Sequence, residues 1–200
     1  MRTVRLFAGV ALVALVSVAA AVAQTTPTRL RGTIAALDGN TVTIATREGN
    51  SVNVKLADNW AVALVAPLTM ADIKQGSFVG IASLGTDADR TALEVLVFPE
   101  SARGTAEGHS AWDLQPGSQM TNATVATIAP GAKGRTMTLR YKDGEKTIVV
   151  PEGVPVVTLK PGDRSLLVAG AKVIVTAQNR NGQATALRIT AGRNGFAPPM

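Results

Sequence analysis

The residues best suited to chemistry are concentrated in one stretch of the chain, RGTAEGHSAWDL at 103–114, which holds its only histidine. The candidate ligand-binding residues are Arg103, Glu107, His109, Trp112 and Asp113. Arginine can hold an anion, tryptophan offers a stacking face, and one histidine with two carboxylates can bind Cu²⁺, Ni²⁺ or Zn²⁺. The stretch therefore predicts either a binding site, with Glu107, His109 and Asp113 as candidate metal ligands, or a polar connector in which these residues are structural.

Catalytic groupings are hard to build from this composition. A Ser-His-Asp triad would have to use His109, its neighbour Ser110 would tend to point away, and the chain contains no G-x-S-x-G turn. There is no cysteine, which excludes disulfides, thiol chemistry and Cys/His zinc sites. We therefore predict a protein that is not an enzyme and has no cofactor.

Positive charge is concentrated in the second half, where residues 101–200 carry 12 basic and 6 acidic side chains. Five cations lie on one predicted hairpin: Lys133, Arg135, Arg140, Lys142 and Lys146. This pattern is typical either of a surface for an anionic partner, such as an acidic polysaccharide or lipid headgroup, or of an ordinary solvated hairpin.

Nucleic acid is not an expected partner. Binding of single strands relies on aromatic platforms along a basic groove. After the first 23 residues the aromatic side chains are only Trp60, Phe78, Phe98, Trp112, Tyr141 and Phe196, and the two central phenylalanines lie in apolar runs.

The N-terminus has the three parts of a secretory signal peptide over residues 1–23. Arg2 and Arg5 precede an uncharged apolar run, and Ala21-Val22-Ala23 supplies the small residues that a signal peptidase requires. The alternative is an uncleaved anchor, since the apolar run approaches the length that spans a bilayer. The small residues and the polar TTPT that follows favour cleavage, which predicts a periplasmic or secreted protein with no transmembrane span.

The remaining chain contains an internal similarity that predicts two units, residues 29–100 and 119–192. Each has three runs of alternating polar and apolar residues, a short helix at most, and two further strands. The alternation is typical of half-buried antiparallel strands. Pairs such as Asp38-Gly39 and Asp143-Gly144 supply the tight turns between them.

This order of elements indicates an all-β fold of two tandem five-stranded OB-like barrels. Residues 101–118 would connect them, and residues 193–200 would form a flexible Gly- and Pro-rich tail. The segments GTIAALDGNTVTI and DIKQGSFV resemble the small OB-like β-barrel repeats of exported bacterial proteins of unknown function. The resemblance implies fold and export, and it implies no catalytic residues.

Taken together, the sequence predicts a non-catalytic exported binding or interaction protein of the cell envelope. Its partner would be an envelope protein or an anionic polymer. The alternatives are a divalent-metal or small-ligand protein that uses residues 103–114, and a binder of anionic polysaccharide or lipid headgroups through the basic second unit.

Overall fold

The computed structural model describes residues 27–199, which are built from β-strands and short 3-10 turns. The strands are β1 (Thr28–Asp38), β2 (Thr41–Thr46), β3 (Ser51–Leu68), β4 (Phe78–Leu84), β5 (Thr91–Val97), β6 (Gly108–Ala111), β7 (Gln119–Gly131), β8 (Gly134–Tyr141), β9 (Gly144–Val150), β10 (Val156–Pro161), β11 (Lys172–Arg180) and β12 (Gln183–Gly192). The prediction of an all-β chain is confirmed. The predicted signal peptide, residues 1–23, lies outside the described residues.

Five strands close into a barrel, called here the first barrel. β1, β2 and β3 form an antiparallel meander. β12 lies parallel to β3, and β11 pairs with both β12 and β1, which closes the circle. Alternating apolar residues from both ends of the chain fill the interior, among them Ile34, Val42, Ile44, Val54, Leu56, Val173, Val175 and Ile189.

The further strands β4, β5, β7, β8 and β9 form a second ring. β4 lies between β5 and β7, and β8 lies between β7 and β9. β5 and β9 meet in one residue pair, Thr91 with Val149. The core of this ring includes Val79, Ile81, Val95, Val125, Met137, Leu139, Ile148 and Val150.

The two units exchange their last two strands, a feature that the sequence pattern did not indicate. β1–β3 of the first predicted unit pair with β11 and β12 of the second unit. β7–β9 of the second unit close with β4 and β5 of the first. Two tandem barrels, each formed by a contiguous unit, are therefore not confirmed. The physical reason is that alternation specifies which face of a strand is buried, but not which strand lies beside it.

A seam between the rings accounts for the length of β3. The second half of β3 pairs with β10, which in turn runs parallel to β5. A small apolar cluster lies at this seam, with Val65, Leu96 and Val157 buried and Phe98, Leu159 and Phe196 packed against them. Phe196 belongs to the tail predicted to be flexible, so this part of the tail has a defined packing partner.

The short helices expected in each unit are single 3-10 turns, Met70–Asp72 and Arg164–Leu166, and a third lies at Glu100–Ala102. The Asp72 carboxylate accepts hydrogen bonds from the backbone N–H and the hydroxyl of Thr69, at 2.8 and 2.7 Å. Asp163 accepts one from the N–H of Ser165 at 2.8 Å. Within residues 27–199, no helix is long and apolar enough to cross a bilayer.

Candidate functional site

The connector 101–118 runs along the second ring and then reaches the first barrel. Its strand β6 pairs antiparallel with the start of β7, so that His109 lies opposite Thr121 and Ala111 opposite Gln119. The five candidate ligand residues of the connector therefore do not meet at one point: three contact the second ring or the turns beside it, and Trp112 and Asp113 contact β1 of the first barrel.

Arg103 anchors the beginning of the connector. Its guanidinium pairs with the Glu100 carboxylate and donates to the Gly76 carbonyl at 2.9 Å and to the Thr124 hydroxyl at 3.4 Å. These contacts hold the chain after β5 against the turn before β4, which is a structural role.

Trp112 and Asp113 fasten the end of the connector to β1 of the first barrel. The Arg29 guanidinium lies 3.9 Å from the centre of the Trp112 ring, and Arg31 donates to the Asp113 carboxylate at 2.8 Å. Burial raises the pKa of Asp113, but the hydrogen bond from Arg31 and the charges of Arg31 and Arg29 outweigh that effect. The pKa therefore lies below its ordinary value.

The predicted metal ligands are not brought together. The Glu107 carboxylate accepts from the Lys142 backbone N–H at 3.1 Å, and His109 Nδ1 lies 2.8 Å from the Thr121 hydroxyl. Asp113 is held by the two arginines of β1. In the described part of the chain, no three His, Asp or Glu side chains are placed to hold a metal ion. Each of the three candidate ligands therefore meets its own partner, with His109 in β6 and Glu107 and Asp113 before and after that strand.

The five cations of the predicted hairpin also separate. Arg140 pairs with Glu145, at 3.1 Å, while Arg135 lies beside Met70 and Lys74. Lys133 lies in the turn between β7 and β8, and Lys142 in the turn between β8 and β9. Arg135 and Arg140 alternate to opposite faces of β8, so these cations do not form one continuous basic surface.

Lys146 instead belongs to a polar cluster at one end of the second ring, called here the polar mouth. Its residues are Ser83, Asp87, Arg90, His109, Thr121 and Lys146. The Lys146 ammonium donates to the Asp87 carboxylate at 2.6 Å, and Arg90 donates to the same carboxylate at 3.2 Å. Ser83 and Thr121 are fully buried. The connector and the basic hairpin therefore meet here, through His109 and Lys146.

The electrostatics of the polar mouth are positive. Burial lowers the pKa of His109, and the nearby charges of Arg90 and Lys146 lower it further, while Asp87 opposes them. His109 is therefore held in its neutral form at neutral pH, and the charges of the cluster are two cations and one carboxylate.

Four members of this cluster were not identified from the sequence: Ser83, Asp87, Arg90 and Thr121. Asp87 and Arg90 belong to GTDADR, the turn between β4 and β5, which reads as an ordinary polar loop. One feature of the sequence could have indicated Arg90: it directly precedes the apolar strand β5, so its side chain lies at the end of the core.

No family model, curated protein or solved structure matches the chain.

Proposed function

We propose that the protein is a non-catalytic, exported binding protein of the cell envelope, periplasmic or secreted, whose contact surface is the polar mouth. The observation that supports this is the meeting of the connector and the basic hairpin at one end of a ring. Both segments were candidate contact surfaces, and the polar mouth contains a residue from each of them.

The proposal of export rests on the N-terminal sequence pattern of residues 1–23. We also propose that each ring is an OB-like barrel, because in both a meander of three strands is closed by two consecutive strands from the other half of the chain, β11 and β12 in the first barrel and β4 and β5 in the second ring. OB-like barrels serve as scaffolds for binding surfaces at their faces and loops.

The non-catalytic assignment is supported by the surroundings of His109. Its partner hydroxyl, that of Thr121, is fully buried and so has no access to a substrate. A nucleophile must reach the reacting atom as well as its base. The pair is suited to orienting the imidazole ring, and a binding role requires nothing more.

Hydrogen exchange of the exported protein, with and without the envelope fraction of the producing cells, tests this proposal. We expect slower exchange in three segments: 85–91, 107–111 and 142–147. The matched control is the equivalent end of the first barrel, residues 28–30, 52–53 and 181–185, where exchange should not change. Protection at the control end alone, or protection nowhere, would contradict the proposal.

A further inference from the structure

Arg90 is the most unusual member of the polar mouth. Its side chain is only 6% exposed, and its Nη2 donates to Asp87. Its Nε and Nη1 are buried and, within the described part of the chain, have no hydrogen-bond partner. A buried guanidinium with unused donors is costly unless an acceptor satisfies them.

The first barrel shows that such polar groups are not needed to close a five-stranded ring. The strand pairings show which end of the first barrel corresponds to the polar mouth. The parallel pair Thr91 and Val149 of the second ring corresponds to the parallel pair Thr185 and Lys55 of the first barrel. The equivalent residues in the first barrel are Leu30 for Thr121, Val52 for Lys146, Ala177 for Ser83 and Ala184 for Arg90. All four are apolar and pack on the first core. The polar set is therefore specific to the second ring.

Asp87 already demonstrates which chemistry the cluster accepts. Its carboxylate takes hydrogen bonds from Lys146 and Arg90, as an external oxyanion would. These bonds, that from Lys146 first, hold the pKa of Asp87 below its ordinary value. The Asp87 side chain is 67% exposed and lies in a turn, so it can move aside without disturbing the core.

We infer that the polar mouth binds a small oxyanion, a phosphate or sulfate group that displaces Asp87 and pairs with Arg90 and Lys146. The inference rests on the proposed function, because it specifies the ligand class of the same surface. Arginine matches a tetrahedral oxyanion with two parallel donors, and lysine adds a point charge. The group is either a free ion or part of a lipid headgroup, which presents the same chemistry.

Titration of the exported protein with inorganic phosphate tests the inference, with sodium chloride holding the ionic strength constant. Backbone amide chemical shifts report the site and the Kd. We expect saturable shifts in segments 85–91 and 142–147. Lys146→Gln should weaken binding by at least about tenfold, the loss of one charge-assisted hydrogen bond. Arg140→Gln, which removes the same charge from the outside of the neighbouring strand, should leave Kd within about twofold.

Asp87→Asn provides a second test, in which phosphate binding should become tighter rather than weaker. Removal of the competing carboxylate charge should tighten phosphate binding by about threefold or more. Asp143→Asn removes a charge from a neighbouring turn and should change Kd much less. No saturable binding, equal losses in Lys146→Gln and Arg140→Gln, or no gain in Asp87→Asn would each overturn the inference.

Two further measurements are needed. One distinguishes a free ion from a lipid headgroup, and the other distinguishes failure of the oxyanion inference from failure of the proposed function. Binding to phosphatidylglycerol vesicles that phosphate competes away would assign a headgroup, whereas phosphate binding without vesicle binding would assign the free ion. If phosphate fails while the envelope fraction still protects the polar mouth, the oxyanion inference falls and the proposed function stands. If phosphate binds while that protection appears elsewhere or nowhere, the proposed contact surface falls.

Discussion

Glu94 is the residue whose environment departs most from that of its type. It lies in the apolar strand TALEVLV, is fully buried, and neither carboxylate oxygen has a hydrogen-bond partner among residues 27–199. Burial raises its pKa to about 8, and the nearby Arg31 charge opposes the shift only in part. The folded protein therefore holds Glu94 protonated at neutral pH.

The raised pKa of Glu94 makes the free energy of unfolding depend on pH. The folded-state pKa lies above the ordinary value of 4.5, so the folded state binds the proton more tightly than the unfolded chain does. The stability is fully present below about pH 4.5 and is lost as pH rises towards 8. Between pH 6.5 and 8 we expect a loss of about 2 kcal/mol from this residue, at 1.36 kcal/mol per pH unit.

Glu94→Gln should remove that loss, which urea unfolding at pH 6.5, 7.25 and 8 would measure. The carboxylates with lowered pKa values titrate below this range, and the lowered pKa of His109 gives a smaller change of opposite sign that Glu94→Gln leaves in place. Glu152→Gln, an exposed loop position, is the control and should keep the wild-type slope. An unchanged slope in Glu94→Gln would contradict the raised pKa.

The ion pair between Asp113 and Arg31 should contribute measurably to the free energy of unfolding. Arg31 is only 10% exposed and relies on this carboxylate, so Asp113→Asn should cost about 1–2 kcal/mol of unfolding free energy, as a buried charge loses its partner. Glu145→Gln breaks the exposed pair with Arg140 and should cost less than about 1 kcal/mol. Equal losses in urea unfolding would mean that the connector is not fastened to β1 through Asp113.

At the scale of elements, the sequence predicted the strands but not their partners. The alternation at Val42 and Ile44 identified a strand with one buried face, and both residues are fully buried. The same alternation is equally consistent with β11 lying in either ring. Glu94 shows what alternation cannot predict. It is the neighbour of the core residue Val95 and so points to the outer face of the ring, where burial depends on contact with the rest of the molecule.

The candidate site was predictable in part for the same reason. His109 and Lys146 were identified from their residue types, but nothing in the sequence indicated that they lie close together. Their proximity depends on β6 pairing with β7 and on the turn after β4 lying beside β9. Arg90 and Asp87 enter the site only through that arrangement.

The exchange of strand pairs can be tested by cutting the connector. A specific protease site introduced at Gly104–Thr105, in an exposed turn, would cut the chain into one fragment with β1–β5 and one with β6–β12. After cleavage under native conditions the two fragments should elute together in gel filtration, because each core contains strands from both of them. The control is the same digest in urea, where the fragments should separate. Separation under native conditions would contradict the exchange.

At the scale of the whole molecule, the exchange should make the two rings unfold together. Each core takes strands from both halves of the chain, and β3 and β10 join the rings along the seam. Neither ring can lose its strands without depriving the other of its partners. We therefore expect one calorimetric transition, with the calorimetric enthalpy equal to the van't Hoff enthalpy.

Matched substitutions in the two cores test whether the two rings share one unfolding transition. Ile44→Val in the first barrel and Ile148→Val in the second ring each remove one fully buried methylene group, at a cost of about 1 kcal/mol. Each should lower the same single transition, by about 2–4 °C for a chain of this length. Val168→Ala, at an exposed position, should leave it almost unchanged. Two transitions, each moved by only one of the core variants, would mean that the rings are independent despite their shared strands.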